Sequence, residues 1–268
     1  MPARRSPARS LAALVLALSL AGCGLLPEVK DETEAWSAQK LYSEAKDNLE
    51  SGNYERAVKL FESLESRYPY GNYAQQAQLE IAYAYYKDNS AALAIAACDR
   101  FIKLHPNHPS VDYAYYLKGL ANFNEDLGLF GALIDQDMSE RDPRAARESF
   151  ESFKELTVRF PESKYTPDAI ARMKYLVNAL AQNEVHVARY YLKREAWVAA
   201  AGRAREVLKT YPEAPALEDA LAIMIVAYDK LKLDDLRDDA RRVLKLNFPN
   251  SRYHQKFEQA DKAWYRFW

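Results

Sequence analysis

Apolar residues at helical spacing run through most of the chain, and five of these runs close in the same way. An aromatic ring stands directly before a proline, and an apolar residue lies four places before the ring. The closures are Tyr68-Pro69, His105-Pro106, Phe160-Pro161, Tyr211-Pro212 and Phe248-Pro249, matched by Leu64, Phe101, Leu156, Val207 and Leu244. A proline ring excludes the helical conformation from the residue before it, so each pair predicts a helix end. The prolines fall 37, 55, 51 and 37 residues apart. A helix end repeated in this way predicts a helical repeat array, and such arrays bind more often than they catalyse.

The first unit is predicted as a helix over residues 34–50, a turn at Ser51-Gly52-Asn53 and a helix over 54–68. The second runs over 73–87, turns at Asp88-Asn89-Ser90 and returns to His105. The third starts at Val111, capped by Ser110; its first helix ends near Asp126, and a connection over 127–142 follows. Asp142-Pro143 then predicts a restart, with the aspartate as N-cap and proline in the first helical position. Thr166-Pro167-Asp168 repeats that signal and opens a run to Arg194, roughly 40 Å long if unbroken; a break near Asn183 is an equal alternative. The fourth unit's second helix covers 197–211, the fifth unit covers 217–248, and a last helix holds Phe257, Trp264, Tyr265, Phe267 and Trp268. In the first unit Ala57, Phe61, Leu64 and Pro69 have a spacing that resembles the second helix of a tetratricopeptide repeat, and Leu41 and Ala45 fit its first helix. Cys98, Phe153, Ala204 and Arg241 stand at the Phe61 place in the later units. The predicted fold is all-α, a superhelical solenoid of about five tetratricopeptide-like hairpins. The two long spacings mark insertions in units three and four.

The N-terminal segment changes the picture. Arg4, Arg5 and Arg9 precede an apolar run from Leu11 to Leu20 that is too short to span a bilayer, the pattern of an export signal. Leu20-Ala21-Gly22-Cys23 is similar to a bacterial lipobox. Residues 1–22 are then expected to be removed and Cys23 to carry N-acyl and S-diacylglycerol lipid, a multi-chain anchor stable where a single chain is marginal. Gly24, rather than Asp, after the cysteine implies the periplasmic face of the outer membrane. Residues 23–34 read as a tether and 35–268 as one solenoid, with N-terminal units over 35–109 and C-terminal units over 110–268. Loss of the three arginines leaves 34 basic and 38 acidic side chains, a net charge of −4 that gives no basic footprint for nucleic acid. Cys98 lies in an apolar run and, with Cys23 acylated, has no disulfide partner; a buried, inert thiol is expected.

The chain holds nineteen tyrosines, and they cluster on first helices: Tyr83, Tyr85 and Tyr86, then Tyr113, Tyr115 and Tyr116, then Tyr190 and Tyr191. Tyr83 and Tyr86 share a face and could present rings to an extended peptide, a use that competes with packing between repeats. The turn Tyr68-Pro69-Tyr70-Gly71-Asn72-Tyr73 carries three rings that a helical core does not require. His105 and His108 have a spacing that suggests a metal pair, but no further ligand is near and the prolines make a rigid turn. The sequence holds no Gly-rich phosphate loop, Gly-x-Ser-x-Gly, His-Glu-x-x-His or Cys-x-x-Cys, so no catalytic residue, metal site or cofactor other than the lipid is assigned. Leu129, Phe130, Leu133 and Ile134 in the 127–142 connection either fold back on the solenoid or meet a partner, and the aromatic C-terminal segment is expected to cap the last repeat.

Several strings together carry a more specific likeness: Tyr68-Pro69-Tyr70-Gly71-x-Tyr73-Ala74-Gln75-Gln76, Ala82-Tyr83-Ala84-Tyr85-Tyr86-Lys87, His105-Pro106-x-His108-Pro109, Asp112-Tyr113, Arg141-Asp142-Pro143 and Ala196-Trp197-Val198-Ala199. In these the chain resembles the BamD family, the tetratricopeptide-repeat lipoproteins of the outer-membrane barrel-assembly machine. The resemblance implies that the N-terminal repeats receive the C-terminal targeting strand of unfolded outer-membrane β-barrel proteins. Because that strand ends in an aromatic residue, Tyr68, Tyr70 and Tyr73, with Tyr83 and Tyr86 beyond them, are the expected receptor. It implies further that the C-terminal repeats grip the last POTRA module of BamA, that other Bam lipoproteins are partners, and that Arg203 and Arg194 meet partner carboxylates. Without the resemblance, an arginine on a second helix reads as a solvated charge. Arg203→Glu is expected to weaken BamA binding and leave the fold intact. A repeat lipoprotein scaffold for pilus or cell-wall assembly is the alternative.

Overall fold

The computed structural model describes residues 32–131 and 143–258. Cys23, residues 132–142 and the aromatic segment 259–268 lie outside the described residues, as do the side chains of 124–131. The chain divides into two units, residues 1–37 and 38–268, and the second carries every helix described. In order these are α1 (Ala38–Glu50), α2 (Tyr54–Arg67), α3 (Asn72–Lys87), α4 (Ala91–Leu104), α5 (Val111–Gly131), α6 (Arg144–Arg159), α7 (Thr166–Lys193), α8 (Trp197–Thr210), α9 (Leu217–Leu231), α10 (Asp234–Asn247) and α11 (Tyr253–Glu258). From α1 to α10 each helix packs on the next, and the first helix of a hairpin also touches the first helix of the following one along α1–α3–α5 and α7–α9. This is the all-α tetratricopeptide-like solenoid of five hairpins.

Two kinds of turn build it. The five residues before the marked prolines are the C-caps of α2, α4, α6, α8 and α10, all with φ between −128° and −131° and ψ between 54° and 66°. Each cap donates its N–H to the carbonyl four residues back, on Leu64, Phe101, Leu156, Val207 or Leu244. Those five anchors are all buried. The proline forbids another helical turn, and the buried anchor fixes where the chain leaves.

The turns inside hairpins use a left-handed residue instead: Gly52, Asn89, Glu195 and Lys232 have φ of 80°, 57°, 60° and 60°. Behind each, a backbone N–H reaches back five residues, Asn53 to Asn48, Ser90 to Tyr85, Ala196 to Tyr191 and Leu233 to Tyr228, satisfying carbonyls that the helix end leaves open. A side chain in this conformation costs about 1–2 kcal/mol, which Gly52 alone avoids.

The core comes in contiguous blocks. One block joins Leu79, Phe101, Val111, Ala114, Phe153, Leu156, Ala169, Leu176 and Leu180. Another joins Ala181, Val185, Ala188 and Leu192 to the buried faces of α8, α9 and α10. The boundary falls between Leu180 and Ala181, inside α7, and the half-buried Tyr211 packs against both blocks. At 28 residues α7 is unbroken and about 42 Å long, so one rigid element belongs to both cores.

Unit four's extra length is therefore helix. In unit three, α5 runs on to Gly131, past the end expected at Asp126, and the rest of the insertion lies outside the described residues. Pro143 is the N-cap of α6 rather than its first helical residue, and Thr166 is the first residue of α7 rather than its cap. The Thr166 hydroxyl donates to the Phe160 carbonyl at 2.8 Å, which ties it to the preceding helix end and takes it away from capping. α1 begins at Ala38, four residues later than expected.

The Phe61 place is filled as the repeat requires in four units: Phe61, Cys98, Phe153 and Ala204 are all fully buried. Their differing volumes are balanced on neighbouring helices. The small Cys98 packs with Ala82 and Leu117, whereas the large Phe153 faces Gly119. Arg241 at the fifth place is exposed and lies over the Phe257 ring at 5.9 Å, where the described array ends.

Candidate functional site

The first helices of units one to three, with the turn before α7, enclose a groove of about 620 Å³ lined by Tyr42, Lys46, Leu79, Glu80, Tyr83, Tyr113, Lys164 and Tyr165 among others. At the α1 end, Lys46 Nζ pairs with Glu80 Oε1 at 3.1 Å, and the Tyr42 hydroxyl donates to the same oxygen at 3.4 Å. Burial, with Glu80 beside it, pushes the Tyr42 hydroxyl up to about 12. The Tyr42 ring meets Phe61 edge-on at 5.7 Å and leans on Tyr73 at 5.3 Å.

The α5–α7 end is built from stacked rings. Tyr113 lies 5.4 Å from Tyr165, which stacks on Tyr116 at 4.7 Å and 17°. The Tyr116 hydroxyl donates to Asp168 Oδ2 at 2.7 Å, and Arg172 Nε donates to the same oxygen at 2.6 Å. Asp112 accepts from the Tyr113 N–H at 2.8 Å and from the Ser163 hydroxyl at 2.7 Å. Burial raises the Tyr113 hydroxyl well above its ordinary value and pushes Tyr116 up to about 12, so these phenols stay protonated at neutral pH.

The five tyrosines expected from the sequence do not form one surface. Tyr83 lines the groove. Tyr86, one turn on, has its ring 6.4 Å from Tyr83 and packs with it against Ala82, Cys98 and Leu117. Tyr73 reaches the groove through Tyr42, while Tyr68 caps α2 and Tyr70 stands 94% exposed in the turn. Sequence reasoning missed Tyr42, Tyr165, Lys46 and Lys164 as lining residues. The helical spacing of Tyr42 beside Leu41 and Ala45 was the available signal for the first of them.

Arg203 is not a free cation. Its Nη1 lies 3.2 Å from Oε2 of Glu184, a carboxylate buried on α7, and Arg147 Nη2 approaches the other oxygen at 3.7 Å. The trio links α6, α7 and α8 at the boundary between the two cores. Charge reversal at Arg203 would face one carboxylate with another, so the pairing argues against the expectation that Arg203→Glu leaves the fold intact, and unfolding of that variant is the test. Arg194 caps the C-terminus of α7 with its guanidinium 4.7 Å over the Tyr190 ring. Ten residues of helix, about 15 Å, separate it from Glu184.

The remaining candidates serve the fold. His105 Nε2 shares a hydrogen bond with Gln78 Oε1 at 3.0 Å, His108 Nδ1 accepts the Ser110 N–H at 3.0 Å, and both rings lie about 5 Å from Phe101. Cys98 is fully buried, and burial pushes its thiol up to about 12.

Stacked helix hairpins around an aromatic groove place the chain among the tetratricopeptide-like helical-repeat proteins. The family model described as outer membrane lipoprotein (YfiO) matches residues 34–244. The chain is 51% identical to the outer membrane protein assembly factor BamD of Neisseria meningitidis serogroup B, over 94% of its own length and 96% of that protein. It is 40% identical to the BamD of Vibrio cholerae serotype O1, over 87% and 96%. The chain belongs to this family of outer-membrane lipoproteins, the BamD outer-membrane protein assembly factors.

Proposed function

We propose that the chain is a non-enzymatic scaffold of the outer-membrane β-barrel assembly machinery, anchored by lipid on Cys23 at the periplasmic face of the outer membrane. Its C-terminal hairpins bind the POTRA module of BamA, and its N-terminal hairpins bind the C-terminal targeting strand of unfolded outer-membrane proteins. The observation that carries the second role is the groove: Tyr42, Tyr83, Tyr113 and Tyr165 line it and offer rings and hydroxyls to an extended, aromatic-ended peptide. Support for the first is the half-exposed Arg203, the Arg194–Tyr190 pair and the exposed Val198. Family membership favours this reading over a pilus or cell-wall scaffold.

Affinity purification of the tagged, lipidated chain from detergent-solubilised envelopes is expected to recover BamA in stoichiometric amount, with other Bam lipoproteins. Recovery of pilus or cell-wall proteins without BamA would overturn the role and leave the fold standing. In photocrosslinking to a peptide ending in an aromatic residue, Tyr83→Ala is expected to lower the yield severalfold. Tyr68→Ala and Tyr70→Ala should lower it less, because neither ring lines the groove. The reverse order would move the receptor to the turn.

A further inference from the structure

We propose that the turn between α4 and α5 is a pH-sensitive element: protonation of His108 releases the start of α5 and, with it, one wall of the groove. Its effect on binding rests on the reading of the groove as a peptide site.

Four of the turns that follow the ring–proline pairs share one design. The residue three places after the ring donates its N–H to the carbonyl of the ring residue. These bonds run from His108 to His105, Ser163 to Phe160, Ala214 to Tyr211 and Ser251 to Phe248, at 3.0–3.1 Å. In two of the turns the hydroxyl of the same residue accepts the N–H two places on, Tyr165 to Ser163 and Tyr253 to Ser251, both at 3.2 Å. The turn before α5 makes that bond with an imidazole: the Ser110 N–H donates to His108 Nδ1 at 3.0 Å. A backbone N–H can only donate, so Nδ1 carries no proton and the ring is neutral. A serine oxygen accepts throughout the pH range, whereas an imidazole nitrogen stops accepting once it is protonated.

The surroundings of His108 oppose its charge. Its ring meets Phe101 of α4 edge-on at 5.2 Å and lies 6.4 Å from the ring of His105. The N-terminus of α5, the positive end of a dipole, begins close by at Val111. On α3, Gln78 is neutral and gives its amide N–H to Glu65 and its oxygen to His105. On α5, Asp112 is engaged by the Tyr113 N–H and the Ser163 hydroxyl. Burial, and after it His105, hold the His108 ring below the ordinary histidine value of 6.5, and no carboxylate among the described residues offsets them. His105 and His254 behave differently. Each meets an oxygen acceptor through Nε2, at 3.0 and 2.9 Å, so a proton there keeps the bond.

The unfolded chain takes up the His108 proton near 6.5, whereas the folded turn resists it. The bond therefore contributes fully above that pH and is lost progressively below it. Pro109, Ser110, Asp112 and Tyr113 all line the groove, and they belong to this turn or to the first residues of α5. The turn at Ala214 forms without a side-chain acceptor, so acid loosens this wall and does not unfold the array.

The test compares the full chain in detergent with His108→Ser, which installs the acceptor found at Ser163, and with His108→Ala, which has none. Each is measured at about pH 7.5 and about pH 5.5, either side of the ordinary histidine value. On acidification the unfolding constant of the unaltered chain, from denaturant titration, is expected to rise by up to about tenfold more than that of His108→Ser, the worth of one hydrogen bond. His108→Ala should share the weaker pH dependence of His108→Ser and be weakened already at the higher pH. A fluorescent decapeptide ending in phenylalanine, followed by anisotropy, should lose affinity severalfold in acid for the unaltered chain and much less for His108→Ser. Equal acid sensitivity of the unaltered chain and His108→Ser in unfolding would overturn the proposal. A difference in unfolding without one in peptide affinity would overturn the link to the groove. A peptide that binds no form at either pH would overturn the peptide reading, and the unfolding comparison would still decide the turn.

Discussion

Gly119→Ala is expected to destabilise the chain by about 1–2 kcal/mol, whereas in a chain that already carries Phe153→Ala the same substitution is expected to stabilise that variant by up to about 1 kcal/mol. A β-carbon at Gly119 would lie 2.5, 2.6 and 2.8 Å from Cε1, Cδ1 and Cζ of Phe153. The ring cannot retreat, because Phe153 is fully buried in the block that holds Phe101, Ala114, Leu156 and Leu176. Overpacking of this kind costs about 1–3 kcal/mol, and alanine's better helix propensity returns at most about 1 kcal/mol. Phe153→Ala alone removes the ring and should cost about 3–5 kcal/mol through lost burial and the cavity left behind. With the ring gone the clash disappears and the helix preference remains, so the sign of Gly119→Ala reverses. Denaturant unfolding of the four chains measures the coupling. Equal effects of Gly119→Ala in both backgrounds would mean that the α5–α6 approach, marked also by the Ser149 hydroxyl donating to the Gly119 carbonyl at 2.8 Å, does not depend on this pair.

The same contact shows which parts of the molecule were legible beforehand. The five proline-marked helix ends follow from a steric restriction between adjacent residues, and all five were readable to within a residue. Whether Gly119 faces Phe153 depends on how two helices cross, which no local pattern states. The left-handed turns at Glu195 and Lys232 were hidden for a related reason: neither residue favours that conformation, and the flanking helices impose it. The continuity of α7 was ambiguous because so long a run is unusual for one repeat, and a break near Asn183 fitted equally well. The neighbouring Glu184 is buried inside the unbroken helix, with Arg147 and Arg203 supplying its charge partners from two other helices. In the groove, Tyr83 and Tyr86 were visible as rings three residues apart. Tyr42, Tyr165 and Lys164 come from stretches that the array alone brings together, so nothing near them in sequence pointed to a common surface.

Arg203→Glu is expected to destabilise the chain by about 3 kcal/mol, near the lower bound for breaking a buried ion pair. Glu184 is the cause. Its side chain is 7% exposed, and charge reversal at Arg203 would set a second carboxylate within reach of it, leaving Arg147 at 3.7 Å as the nearest remaining cation. The loss stays near the lower bound because the Arg203 side chain is half exposed and its replacement can turn toward water. Loss of BamA from a purification of Arg203→Glu would therefore not distinguish a broken contact from a loosened junction between the two cores. Pairing it with Glu184→Gln separates the two, since the amide keeps the shape and removes the repulsion. The double variant is expected to recover most of the lost stability. If BamA returns with the stability, Arg203 acts by holding Glu184. If stability returns and BamA does not, the guanidinium itself meets the partner. Unchanged unfolding of the single variant would show that Glu184 does not depend on Arg203 in solution.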